Sequence, residues 1–460
     1  MKQNLIKNLL LLLLFGATFL NPAIAYDFPK FKDGDIVCFI GNSITHGGAY
    51  HAFLQIFCAT RFPDAEVEYY NCGIAGDVAN GMIRRLDEDV LTHQPDYAFI
   101  MTGMNDVQRG LYSRAEADQE TLDQRQKALE NYYVKTEEMV KMLMENNVRI
   151  ILMTPSIYDQ TAKIKQFNDY GTNDALALCA EHIRNMAKKY DTPLVDLHAA
   201  MSAINLKGQI DDSSFTIVGL DRIHPGTSGH FVMAYQILNS IMPSQYVSKM
   251  ALNARKKEVE ESLNCTIKIE SHGVLEFMVL ENSLPFPVNK RMEEALDLVP
   301  FQEDLNKEML IIADLAEGNY NLLIDEKEVG IFSSQELKTG INLSNNPLTP
   351  QYKQAEMVSN LCLEYHKVQD DLRSIAFIDY RMLQNYDGPE TVAGKRTYLD
   401  AELEKQKGKS WHRWNAQQCD RYFETLPKEE FLWEELARIR GEIYSSNKPV
   451  GHSYKLKKVF

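Results

Sequence analysis

Five short apolar segments, interleaved with stretches of helical spacing, constrain this chain more than anything else in it. Residues 35–40, 67–71, 97–101, 149–153 and 193–195 read as strands bounded by turn residues. Between them, 49–60, 78–91, 121–145 and 174–189 carry apolar residues at helical intervals. Strands separated by helices cannot pair through tight hairpins, so they line up in parallel with helices on both faces. The expected fold is therefore α/β, a five-stranded parallel sheet in three layers. In such a sheet the ligand crevice lies at the carboxyl ends of the strands.

The alternation stops near residues 242–243. Residues 265–281 and 309–332 then show period-two apolar stretches with turn signals, which predicts a small β-rich module over 249–348. From 349 to 460 the chain turns helical and polar, and its tail beyond Gly441, rich in Ser, Asn, Lys and Pro, reads as an extended arm. The α/β domain itself is expected over 26–248.

The first 25 residues stand apart. Lys2 and Lys7 precede an apolar run over 9–20, and Ala23-Ile24-Ala25 offers small residues for cleavage. This is the order of a secretory signal, with cleavage expected near Ala25 and a periplasmic or secreted product. An uncleaved anchor is the other reading, but the run falls short of the roughly 20 residues a bilayer span needs. No later segment is apolar enough to span.

The formal charge of −15 repels nucleic acid and phosphate-rich surfaces, so neither is an expected partner. Seven cysteines are scattered without a C-x-x-C pair or zinc spacing, so no metal or cofactor is expected and no disulfide is specified.

Three polar clusters follow the first three strands and so converge on one sheet edge: Gly41-Asn42-Ser43, Asn71-Cys72-Gly73 and Thr102-Gly103-Met104-Asn105. A serine where a buried strand meets a helix has its Oγ exposed and helix N–H groups at hand for developing negative charge. Taken alone, Ser43 serves equally well as a helix cap. Asp221-Arg222-Ile223-His224-Pro225 sets a carboxylate three residues from an imidazole, so Asp221 can reach Nδ1 and leave Nε2 free for a serine proton. Gly76 offers an unobstructed backbone N–H and Asn105 a side-chain NH₂. With the Ser43 N–H they make three donors for an oxyanion, each commonly worth about 100- to 1,000-fold in rate. Taken singly, these residues are turn glycine, turn asparagine and surface pair.

In combination they resemble the four sequence blocks of the SGNH (GDSL-like) hydrolase family. The blocks read Gly41-Asn42-Ser43-Ile44, Asn71-Cys72-Gly73-Ile74-Ala75-Gly76-Asp77, Gly103-Met104-Asn105-Asp106 and Asp221-Arg222-Ile223-His224-Pro225. The resemblance covers about residues 33–243. It implies a flavodoxin-like fold with Ser43 as nucleophile, His224 as general base, Asp221 orienting it, and Ser43, Gly76 and Asn105 as oxyanion donors. Asn42 stands where the family more often has Asp, a neighbour outside the triad. Asp106 is expected to brace the Asn105 turn and Asp77 to cap the next helix. His51 is expected to pack in its helix, while His46 is a candidate pocket residue.

The resemblance does not identify the ester. Export favours removal of O-acyl groups, most simply acetyl, from glycans, with Trp411, Trp414 and Tyr422 available to stack on sugar rings or to pack a helix. A lysophospholipase or thioesterase needs an apolar acyl tunnel, and the segment between Asn105 and Asp123 is strongly polar. A non-catalytic glycan-binding protein would have no need of the full residue set.

Overall fold

The computed structural model describes residues 30–459, apart from 115, 242–243, 271–273 and 291. The signal and its cleavage point lie outside the described residues.

Strands β1 (Ile36–Gly41), β2 (Glu68–Gly73), β3 (Tyr97–Met101), β4 (Arg149–Met153) and β5 (Leu194–Val195) form one parallel sheet in the order β2-β1-β3-β4-β5. The expected α/β core is therefore present. β3 is buried at every position, as a strand covered on both faces must be. The covering helices include α1 (Ser43–His46), α2 (Tyr50–Arg61), α3 (Gln119–Glu145), α4 (Thr172–Tyr190), α5 (Leu197–Asp211) and α6 (Thr227–Ile241). Register places Gly41 beside both Gly73 and Met101, so the loops after β1, β2 and β3 leave the sheet side by side. That alignment sets the polar clusters on one edge.

Two smaller sheets follow. One pairs β6 (Tyr246–Asn253), β7 (Glu258–Leu263), β10 (Lys307–Ala313) and β13 (Ile341–Asn342). The other pairs β8 (Cys265–Glu270), β9 (Leu275–Glu281), β11 (Asn319–Ile324), β12 (Lys327–Ser333) and β14 (His452–Val459). The sequence suggested an extended arm at the C-terminus. Instead β14 lies between β11 and β9 in the second sheet. His452, Tyr454 and Leu456 alternate inward, and Lys455, Lys457 and Lys458 made this strand look like a solvated tail.

The C-terminal helices α7 (Pro350–Phe377), α8 (Val392–Lys405), α9 (His412–Thr425) and α10 (Glu429–Ser446) pack on the α/β core. Val358, Cys362 and Tyr365 of α7 share one continuous apolar cluster with Ile56, Phe57 and Tyr69. β2 is an edge strand, whose open carbonyls need partners. Tyr365 Oη and Gln369 Nε2 both donate to Tyr69 O, at 3.1 and 2.6 Å. The helical region thus seals the sheet edge. Among the described residues no helix is long and apolar enough to cross a membrane.

Candidate active site

Ser43 opens α1 directly after β1. Asn42 is its N-cap, with Oδ1 accepting from Ile44 N at 3.0 Å. The commonly found aspartate could accept the same bond, so Asn42 conserves the capping function here. Gly41 is required by close approach, since a Cβ there would lie 2.1 Å from Thr45 Oγ1.

Ser43 Oγ is 2.7 Å from His224 Nε2, and His224 Nδ1 is 2.5 Å from Asp221 Oδ2. Asp221 Oδ1 accepts from the backbone N–H groups of Ile223 and His224, both at 3.0 Å. Burial opposes ionisation of Asp221, but the bonds from the His224 ring and from these N–H groups outweigh it and bring its pKa down to about 2. The carboxylate is thus fixed in charge and orientation, as a residue that holds an imidazolium must be. The relay is open to solvent, with 47% of the His224 side chain and 49% of Asp221 exposed.

Sequence reasoning missed Arg222. It adopts a left-handed backbone, φ +69°, at a cost of roughly 1–2 kcal/mol. Its buried guanidinium donates to the carbonyls of Asp159, Ala162, Ile164, Gln166 and Phe167. Five carbonyl contacts compensate the strain and lock the turn that carries Asp221 and His224. Nothing in the sequence marks this arginine, because its partners are backbone oxygens some 60 residues away.

The oxyanion candidates are tied to one another. Gly76 has φ +76°, a turn conformation that favours glycine. Asn105 Nδ2 donates to Asp77 O at 2.9 Å, which holds the amide against the Gly76 turn and leaves its second hydrogen free. Asp106 braces this junction, with Oδ1 accepting from Ala79 N at 2.8 Å and Oδ2 from Gly103 N at 2.9 Å. Burial raises its pKa to about 6 against those bonds. Asp77 does not cap the following helix, whose N-cap is Val78. It pairs instead with Arg85 Nε at 2.9 Å, because a buried arginine demands a carboxylate more strongly than a helix end demands a cap.

His51 is buried, with Nε2 3.0 Å from Thr45 O and its ring against Phe39, Tyr50 and His366. Burial lowers its pKa to about 4, so it is a neutral packing residue. His46 is also held neutral, at about 3, by burial and then by the Arg373 charge. Its ring meets Phe377 at 6.0 Å and Trp414 at 6.1 Å, which brings the C-terminal helices to the rim beside Ser43. Trp411 is 54% exposed, and Tyr422 is buried with its hydroxyl donating to Asp379 at 2.9 Å. Of the three aromatic residues singled out in the sequence, Trp414 is the one shown with its ring against His46. Among the described residues no three His, Cys, Asp or Glu side chains are grouped to hold a metal ion.

The GDSL-like lipase/acylhydrolase family matches residues 39–231, the segment that carries all of these groups. An acetylxylan esterase of Geobacillus stearothermophilus is 26% identical over 231 residues, 46% of this chain and 96% of its own length. A solved structure described as a gut microbial diltiazem-metabolizing enzyme is 32% identical with a TM-score of 0.86, and the match covers 95% of this chain and 100% of that one. The β-rich and helical regions are therefore shared with that enzyme as well as the α/β core. The chain belongs to the GDSL-like lipase/acylhydrolase family and is a serine hydrolase acting on ester bonds.

Proposed function

We propose that this protein is an exported esterase that removes O-acyl groups, acetyl foremost, from glycans, with Ser43 as nucleophile. The observation that carries the mechanism is the unbroken relay from Asp221 through His224 to Ser43 Oγ. His224 Nε2 takes the Ser43 proton as Oγ attacks the ester carbonyl, and Asp221 stays ionised beside the imidazolium. The oxyanion accepts from the Ser43 and Gly76 N–H groups and from the free hydrogen of Asn105 Nδ2. Collapse of this intermediate expels the sugar hydroxyl, which receives the proton from His224. Water, deprotonated by the same ring, then releases the acid and restores Ser43.

Three observations support a glycan as the alcohol. The relative from Geobacillus stearothermophilus is an acetylxylan esterase. The relay is open enough to admit a bulky chain, whereas a long acyl group needs apolar cover. Trp414, 37% exposed beside His46, offers a ring face at the rim. Export rests on the order of residues in 1–25, and N-terminal sequencing of the mature protein tests it.

The deciding experiment is a panel of acetylated oligosaccharides alongside p-nitrophenyl esters of increasing chain length. Turnover of the acetylated sugars, with p-nitrophenyl activity falling beyond short acyl chains, is expected. Activity that rises with chain length overturns the glycan reading in favour of a lysophospholipase or thioesterase.

A further inference from the structure

Arg381 lies over the candidate oxyanion turn. It belongs to the turn Ile378–Met382 that follows α7. A Cβ built on Gly76 would lie 3.6 Å from Arg381 Nη2, 3.7 Å from Nε and 3.9 Å from Cζ. Nη2 and Nε lie nearer than Cζ, so the Nε–Nη2 edge of the guanidinium leans over Gly76. Arg381 is exposed, and its guanidinium has no hydrogen-bond or ion-pair partner among the described residues.

Four other arginines of the C-terminal helices are tied to carboxylates. Arg373 holds Asp89, Arg421 holds Asp371, Arg438 holds Glu435, and Arg440 holds Glu68. This chain has 64 acidic residues against 49 basic ones, so a carboxylate partner is easily found. Arg381 has none, yet its segment is anchored. Phe377, one turn earlier, is buried against His46 and packs on Trp414 at 4.8 Å. Leu383 N donates to Ile378 O at 2.8 Å, and Arg84 Nη2 to Gln384 Oε1 at 3.2 Å. An anchored segment thus presents a free, planar, permanently charged fork beside the reacting centre.

We propose that Arg381 is a specificity-determining residue that binds a carboxylate on the substrate, so that the favoured substrate class is acylated uronates. The guanidinium fork matches a planar carboxylate through two parallel bonds. The oxyanion does not need it, because Ser43, Gly76 and Asn105 already supply three donors. Its place beside the Gly76 turn puts the recognised anion within about one sugar ring of the scissile ester. Trp414 lies on the same rim, where it can carry the face of that ring. The assignment rests on Ser43 being the nucleophile.

The test compares kcat/KM for O-acetyl glucuronic acid and O-acetyl glucose, which differ at the C6 carboxylate, in wild type, Arg381→Gln and Arg381→Lys. Wild type is expected to prefer the uronate. Arg381→Gln lowers that preference about tenfold or more, mainly through KM, as loss of a charge-assisted bond does. Arg381→Lys restores part of it, keeping the charge without the fork. Added salt erodes the preference in wild type and leaves Arg381→Gln unaffected. A wild type without preference overturns the assignment, as does an equal loss on both sugars, which assigns the guanidinium to the oxyanion or the turn. Ser43→Ala separates the two levels. Turnover that survives it sinks the nucleophile itself, while Ser43-dependent turnover with an unchanged ratio sinks only the role of Arg381.

Discussion

Arg373 on α7 holds both carboxylate oxygens of Asp89 in the α/β domain, at 2.6 and 2.9 Å. Both residues are buried, and Arg85 bonds the same carboxylate while also reaching Asp77. Burial alone would raise the Asp89 pKa, but Arg373 and Arg85 outweigh it and hold it below the usual value of 3.8. The pair's contribution to stability is therefore present above that value and is lost as pH falls below it. Arg373→Met leaves Asp89 with one cation and is expected to cost about 3 kcal/mol, read as a lower urea midpoint. Arg373 Nε also donates to Gly73 O at 3.3 Å, so esterase activity should fall in the same variant.

On the proposed mechanism Ser43→Ala should lower kcat by about 10,000-fold or more, the loss expected when a triad nucleophile is removed. Ser43 is half-buried at the start of a short helix whose cap is Asn42, so thermal unfolding should move little. Ester hydrolysis and circular dichroism on one preparation check both halves.

Asp221→Asn keeps the size of the side chain but removes the charge facing His224 Nδ1. A fall in kcat of about 10,000-fold near neutral pH is expected. In the wild type the Asp221 pKa lies near 2, below its ordinary 3.8. Its stabilising bonds are complete above pH 3.8 and fade as pH falls toward 2, so this side chain leaves stability unchanged across the neutral range. A pH series of unfolding midpoints for both proteins measures the difference.

Asp106→Asn should be damaging even though burial raises the native pKa to about 6. The two carboxylate oxygens each accept a separate backbone N–H, from Ala79 and Gly103. An amide accepts one and turns its NH₂ against the other, which leaves a buried donor unpaired at about 1–3 kcal/mol. Because the brace fixes Asn105, kcat should fall by about 10- to 100-fold. The raised pKa also means that the contribution of Asp106 to stability is full below pH 3.8 and is lost as pH rises through about 6. That trend should be absent from the variant's unfolding midpoints between pH 4 and 7.

The sequence determined the parallel sheet and the candidate catalytic set, because both are written locally. Apolar runs such as 97–101 are legible one strand at a time, and Ser43, Gly76, Asn105 and Asp221-x-x-His224 fall at strand ends or on a single loop. The tertiary structure decided what depends on distant partners. Arg222 is fixed by carbonyls of 159–167, Asp77 is drawn to Arg85, and β14 becomes an interior strand although its outward lysines resemble a tail. Trp414 reaches His46, and Arg381 the Gly76 turn, because α7 seals the open edge of β2 and carries the C-terminal helices with it. Periodicity reports which face of an element is buried. It does not report which distant element buries it.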